Sequence, residues 1–149
     1  MSSIEATPPF VFASDSLKGT LSSQDTARLL GVAARRHFPS CTCVAVPMAD
    51  GGEGTTDALV EACGGTYREV CVHDPLGRRI VARYGLLGGG RALIEVAAAS
   101  GLPLLVSEDR DPLNASSFGT GELVLDAIKA GCDDITLALG GSATNDGGM

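Results

Sequence analysis

Apolar and polar positions along the chain fall into two successive rhythms. Phe10-Val11-Phe12-Ala13 is a short unbroken apolar run and predicts a first strand. Ser22 or Ser23 can cap a helix running to about His37, with Ala27, Leu30, Ala34 and Phe38 as its apolar stripe. Cys41 to Val46 predicts a second strand, stopped by Pro47, and a helix follows from Thr55 to Ala62, ended by Gly64-Gly65. The β-α-β-α order is the start of a parallel, doubly wound α/β sheet.

The rhythm then changes. Tyr67 to Val72, Arg79 to Leu87 and Arg91 to Val96 are strand candidates with no helix between them, separated by the turns Asp74-Pro75-Leu76-Gly77 and Gly88-Gly89-Gly90. That pattern predicts an antiparallel meander in a separate subdomain. An Ala-rich stretch and a polar loop (residues 107 to 117) precede a helix from Gly119 to Ala130, closed by Gly131, and a last strand, Ile135 to Leu139. The expected fold is therefore α/β: a doubly wound, mainly parallel sheet of Rossmann or flavodoxin-like type, interrupted by an inserted β-rich subdomain. Residues 1–65 and 118–149 are assigned to the first part and residues 66–117 to the start of the second. An α/β unit ordinarily runs on into a helix after such a strand, so the rest of the fold is expected in a missing C-terminal half. An uncovered sheet edge would favour self-association.

Composition narrows the possible roles. With 44% hydrophobic and 19% charged residues in 149, the chain is expected to fold as a soluble protein with its own core. Aromatics are 4% and Trp is absent, so that core must be built from Ala, Val, Leu and Ile. A net charge of -7, with Arg35-Arg36 and Arg78-Arg79 as isolated basic pairs, argues against nucleic-acid or anionic-membrane partners. No apolar run reaches membrane length, and the N-terminus lacks signal-peptide character; residues 1 to 8 read as a loose tail. The five cysteines form no metal pattern. Cys41 and Cys43 alternate onto one face, and Cys63, Cys71 and Cys132 are solitary, so reduced, core-filling thiols in a cytoplasmic protein are expected.

The candidate chemistry lies in polar, glycine-rich loops beside these elements. The last strand leads into Gly140-Gly141-Ser142-Ala143-Thr144-Asn145-Asp146-Gly147-Gly148-Met149, with four glycines, two hydroxyls, an amide and a carboxylate. Such a loop can turn tightly and present its N–H groups to an anion. Asp15-Ser16-Leu17-Lys18-Gly19 follows the first strand, and Lys18 there can neutralise a phosphate or carboxylate; a solvated loop lysine is the plain alternative. Met48-Ala49-Asp50-Gly51-Gly52-Glu53-Gly54-Thr55 opens a helix, where N–H groups and the helix dipole favour an anion. Asp50 and Glu53 add metal-binding or proton-accepting capacity, or simply form a capping turn. The segment from Arg110 through Asn114, Ser116 and Ser117 to Phe118-Gly119-Thr120-Gly121-Glu122 can bind an anion or be capped by Ser117 or Thr120. Glu95 interrupts an apolar run and faces either water or a ligand. His37 and His73 end elements without metal-like companions and read as structural or surface residues. Walker A, Gly-x-Gly-x-x-Gly, His-Glu-x-x-His and Gly-x-Ser-x-Gly signatures are absent. Together these loops point to an enzyme that handles a phosphorylated or nucleotide ligand with Mg2+.

Five segments then carry a specific likeness. Asp15-Ser16-Leu17-Lys18-Gly19, Met48 to Thr55, Ile94-Glu95-Val96-Ala97-Ala98-Ala99-Ser100-Gly101-Leu102, Gly119-Thr120-Gly121-Glu122 and Gly140 to Gly148 resemble, in order, the motifs of the type I glycerate kinases. The resemblance runs from about Phe10 to Met149, as an N-terminal portion of that family's longer chain. It implies ATP-dependent phosphorylation of D-glycerate at the 2-hydroxyl with Mg2+, on two α/β domains flanking a cleft. Lys18, Asp50 and Asp146 would then be catalytic. Ser16, Gly51, Gly52, Glu53, Thr55, Thr120, Gly140, Gly141, Ser142, Thr144 and Asn145 would contact substrate or phosphate, and Asp50 and Glu53 would hold Mg2+. A small-acid-binding fragment without catalysis, or a kinase for a related hydroxy acid, is the alternative.

Overall fold

The structure, a computed structural model, describes residues 8–17 and 20–147. The chain forms two compact units, Met1–Ala49 and Asp50–Met149.

In the first unit, β1 (Phe10–Phe12) pairs in parallel with β2 (Cys43–Ala45), with Phe10 opposite Cys43 and Phe12 opposite Ala45. The crossover is α1 (Ser23–His37). Ser22 is its N-cap: the hydroxyl accepts the Asp25 N–H at 3.0 Å and donates to the Asp25 carboxylate at 2.9 Å. Arg35, Arg36 and His37 complement the dipole in the last turn. Phe10 packs on Phe38 at 5.3 Å between ring centroids. The Cys41 and Cys43 sulfurs lie 3.6 Å apart, on one side of the chain as their spacing predicts.

The second unit is built on a four-stranded mixed sheet in the order β3 (Thr66–His73), β4 (Arg79–Gly88), β5 (Arg91–Glu95), β6 (Asp134–Ala138). β3, β4 and β5 form the expected antiparallel meander, and β6 returns to lie parallel beside β5. Helices cover both faces. On one, the Tyr84 hydroxyl reaches Asp126 of α4 (Phe118–Lys129) at 2.9 Å. On the other, Arg83 reaches Asp57 of α2 (Thr55–Cys63) at 2.9 Å. Alternate residues of β4 thus face opposite helices. Gly85 permits this packing, since a Cβ there would stand 2.6 Å from Val60 Cγ2. Because β5 is covered on both sides, Ala92, Leu93 and Ile94 are all buried. The core combines Val72, Ala82, Tyr84, Ala92 and Ile94 with Leu123 and Ala127 of α4, Ala99 and Cys132. A short α3 (Ala97–Ser100) follows β5 directly.

The cysteine expectation needs correction. Cys41 and Cys132 are buried, but Cys63 and Cys71 are exposed, Cys63 in the last turn of α2 and Cys71 on β3. All five are free thiols.

Candidate functional site

At the carboxyl ends of β5 and β6, three loops of the second unit are joined backbone to backbone. The Gly140 N–H donates to Gly51 O at 2.7 Å, tying the loop after β6 to the glycine-rich entry of α2. The approach is so close that a Cβ on Gly140 would sit 2.3 Å from Gly52 Cα. The Leu102 N–H donates to Gly141 O at 2.9 Å, and the Ala143 N–H to Ser100 O at 2.8 Å. The Ser100-Gly101-Leu102 segment is thereby stitched to residues 141–143. A fourth segment joins through a side chain: Asp146 accepts the Ser117 N–H at 2.7 Å and the Ser116 hydroxyl at 3.1 Å. A carboxylate at the start of α4 is favoured by that helix's dipole. Ser117 itself makes no side-chain cap there.

The expected site residues occupy distinct positions in this assembly. Asp50 is exposed and folds its carboxylate onto the Gly52 N–H at 2.9 Å, forming an Asx turn before α2 rather than capping the helix. Glu53 is exposed. Gly51 and Gly52 supply the backbone under Gly140. The Thr55 hydroxyl donates to Gly52 O at 2.7 Å and steadies the same turn. Thr120 is buried, with its hydroxyl 2.7 Å from Ser100 Oγ and 3.3 Å from Val96 O. Ser142, Thr144 and Asn145 line a groove of about 750 Å3 between α4 and β6 whose floor includes Val124, Leu125, Leu137 and Leu139. The Ser142 hydroxyl also accepts the Thr144 N–H at 3.1 Å. In the first unit, the Ser16 N–H donates to Asp15 at 2.7 Å. Lys18 lies outside the described residues.

The sequence left the orientation of Glu95 open, and the structure settles it. Glu95 ends β5, is 9% exposed and accepts the Thr56 N–H at 2.5 Å. It serves α2 as a cap from a distant strand, because the helix's own N-cap, Gly54, has no side chain. Alternation toward water failed as a guide because both faces of β5 are covered.

Three carboxylates near the site, Asp74, Glu122 and Asp126, are paired. Glu122 accepts the His73 N–H at 2.7 Å and lies 3.0 Å from His73 Nδ1. Burial acts to raise the Glu122 pKa, but these His73 contacts prevail and hold it below the usual carboxylate value. Burial likewise opposes ionisation of Asp74, yet the Arg78 and Leu76 N–H groups and the Arg78 guanidinium keep its pKa low. Hydrogen bonding to Arg68, at 2.6 Å, is the main cause of the lowered pKa of Asp126. His73 thus has the structural role its sequence position suggests, and Ser100 is a site-building residue that only its burial against Thr120 reveals. Its signal in the sequence was a lone hydroxyl within an Ala-rich run.

Fold and site together define an α/β protein with a loop-built cluster at the carboxyl ends of neighbouring parallel strands, where open α/β sheets take their ligands. The model of the Glycerate kinase family matches residues 10–149, and the chain belongs to that family. The Glycerate 2-kinase of Escherichia coli (strain K12) is 48% identical over 139 residues, covering 93% of this chain and 36% of that protein. The glycerate kinase of Haemophilus influenzae (strain ATCC 51907 / DSM 11121 / KW20 / Rd) is 47% identical over 141 residues, with 94% and 37% covered. A crystal structure from Salmonella typhimurium LT2, named provisionally as a glycerate kinase 2, superposes with a TM-score of 0.78 at 46% identity, over 96% of this chain and 38% of that one. The chain spans a little over a third of the length of these relatives.

Proposed function

We propose that the whole protein to which this chain corresponds phosphorylates D-glycerate at its 2-hydroxyl, using ATP and Mg2+ in the cytoplasm. The observation that carries this reading is the Gly140 N–H to Gly51 O contact of 2.7 Å, which brings two glycine-rich family motifs into one cluster. In the reaction, the substrate hydroxyl oxygen bonds to the γ-phosphorus, the bond to the β-phosphate oxygen breaks, ADP leaves and the hydroxyl proton is released. Positioning and charge stabilisation supply most of the catalysis in such transfers.

Within this reading, backbone N–H groups of residues 140–145 cradle phosphate, and Lys18 neutralises substrate carboxylate or phosphate. Ser16, Ser142, Thr144 and Asn145 orient the substrate. Among the described residues no group of three His, Cys, Asp or Glu side chains could cage a metal. Mg2+ carried by a nucleotide needs only one or two protein carboxylates, which Asp50 and Glu53 could supply. The metal would neutralise phosphate charge. Asp146 anchors the loop after β6 on α4 and presents carboxylate to substrate or metal. We also propose that β1, α1 and β2 begin a doubly wound, mainly parallel sheet in the whole protein.

The test is ADP release by the full-length protein across a panel of small hydroxy acids. Turnover confined to D-glycerate, falling about 100-fold or more in Asp50→Asn and Asp146→Asn, supports the reading. Failure of the full-length protein to turn over glycerate refutes it. Undiminished turnover in both variants removes these carboxylates from the site.

A further inference from the structure

We propose that the cavity of about 400 Å3 at the N-terminus of α2 is a hydroxyl-binding subsite, with Glu95 and Thr56 as its recognition groups. The cavity is lined by Glu53, Thr56, Asp57, Glu69, Arg83 and Glu95, among others. One of its acids is already matched: Asp57 accepts Arg83 at 2.9 Å and the Tyr67 hydroxyl at 2.8 Å. Glu69 is the register partner of Arg83 across β3 and β4. Arg83 also lies 4.4 Å over the Tyr67 ring.

Glu95 is different. It is buried and joins no ion pair among the described residues; its single hydrogen bond, from the Thr56 N–H, occupies one carboxylate oxygen. The adjacent Thr56 side chain is 6% exposed, and its Oγ1 has no hydrogen-bond partner. The Thr56 methyl is turned toward Gly85, where a Cβ would meet it at 3.1 Å, so the unpaired hydroxyl is not directed onto the strand. A buried hydroxyl without a partner is destabilising, and a ligand that hydrogen-bonds to it relieves that cost.

The chemistry of the wall selects the ligand. Four carboxylates against one committed guanidinium exclude an anionic group from the depth of the cavity. A resident divalent ion is poorly served, because no cluster of three metal-binding side chains exists among the described residues. An alcohol fits: its O–H donates to the free Glu95 oxygen, and its oxygen accepts from Thr56 Oγ1. A small hydroxy acid would therefore enter hydroxyl first, with its carboxylate kept outside. The inference rests on the kinase reading only for the choice of glycerate as a probe.

The Thr56 amide reports on the subsite directly in the 15N-labelled 149-residue chain. Glycerol and D-glycerate should shift it saturably, while propionate, an acid lacking a hydroxyl, should not. Glu95→Gln keeps an acceptor for the Thr56 N–H and should weaken binding about tenfold or more. Thr56→Val should weaken it comparably while the unfolding midpoint holds or rises, an outcome that a purely structural threonine would not produce. Equal response to propionate, a response to MgCl2 with silence toward alcohols, absence of any saturable shift, or unaltered binding in Thr56→Val would each overturn the proposal. Should Glu95→Gln fail to fold, Thr56→Val decides alone. Glycerate turnover by full-length Thr56→Val with unchanged KM would sink the subsite and leave the kinase reading intact. Alcohol binding without any ADP release would do the reverse.

Discussion

Replacing Gly140 with alanine puts one methyl group where the structure has only backbone. The new Cβ would stand 2.3 Å from Gly52 Cα, 2.7 Å from Gly52 N and 2.9 Å from Gly51 O. None of these can rotate away, so the two loops must separate. Overpacking of this kind costs about 1–3 kcal/mol. Separation also strains or breaks the 2.7 Å bond from the Gly140 N–H to Gly51 O, worth about 0.5–1.5 kcal/mol. The expected loss is therefore about 2–4 kcal/mol, read as a lower urea midpoint at unchanged m-value. Gly121→Ala is the control. Gly121 lies in α4 with nothing within 4 Å of a built Cβ, so alanine there should be neutral or stabilise by up to about 1 kcal/mol. If Gly140→Ala and Gly121→Ala give the same stability, the loops are not clamped as described and the reasoning fails.

Two further outcomes are expected. Tyr84 is fully buried and its pKa is pushed up to about 12, first by burial and then by the Asp126 carboxylate. A raised pKa stabilises the fold below the unfolded value near 10, and that contribution, about 2–3 kcal/mol, should disappear as pH rises toward 12. Asp126 works in the opposite sense, its lowered pKa giving stability above about pH 4 that is lost on acidification. Urea unfolding across pH should show both limbs, with Tyr84→Phe flattening the alkaline one and Asp126→Asn the acid one; unchanged limbs would count against these contacts. Separately, Leu125 and Ile128 of α4 and Leu137 and Leu139 at the β6 edge are 50%, 55%, 44% and 73% exposed. The 149-residue chain should self-associate through this groove and edge, and Leu137→Lys with Leu139→Lys should reduce it; a monodisperse wild-type monomer by light scattering would refute this.

Much of the architecture was legible in the chain because its local signals agree. The serine cap placed α1, although the expected stripe was only partly right: Ala27 is buried with Gly31, while Leu30 and Phe38 are exposed. The paired turns at Asp74-Pro75-Leu76-Gly77 and Gly88-Gly89-Gly90 marked out the meander to within a residue or two. Strand partnership was harder to read. Which neighbour β6 takes depends on long-range packing, and its parallel pairing with β5 leaves no short-range mark. The site was legible as loops and less so as side chains. The Met48–Thr55 and Gly140–Asp146 segments do meet, but through main-chain groups whose partners sequence cannot name. The burial of Thr120 and its pairing with the Ser100 hydroxyl, twenty residues away in sequence, leave no mark in the local pattern. Glu95 reads ambiguously because the alternation rule presumes one wet face.

The contact between Gly51 and Gly140 joins residues at nearly opposite ends of the second unit's sequence. Closing so long a stretch of chain carries an entropic penalty that must be met before the contact can form. The loop cluster is therefore expected to form late in folding, after the sheet beneath it. Amide protection at Gly140 should follow global rather than local opening of that unit, and any ligand held by these loops would stabilise the whole sheet by mass action. Binding and folding of the second unit are in this way one thermodynamic cycle.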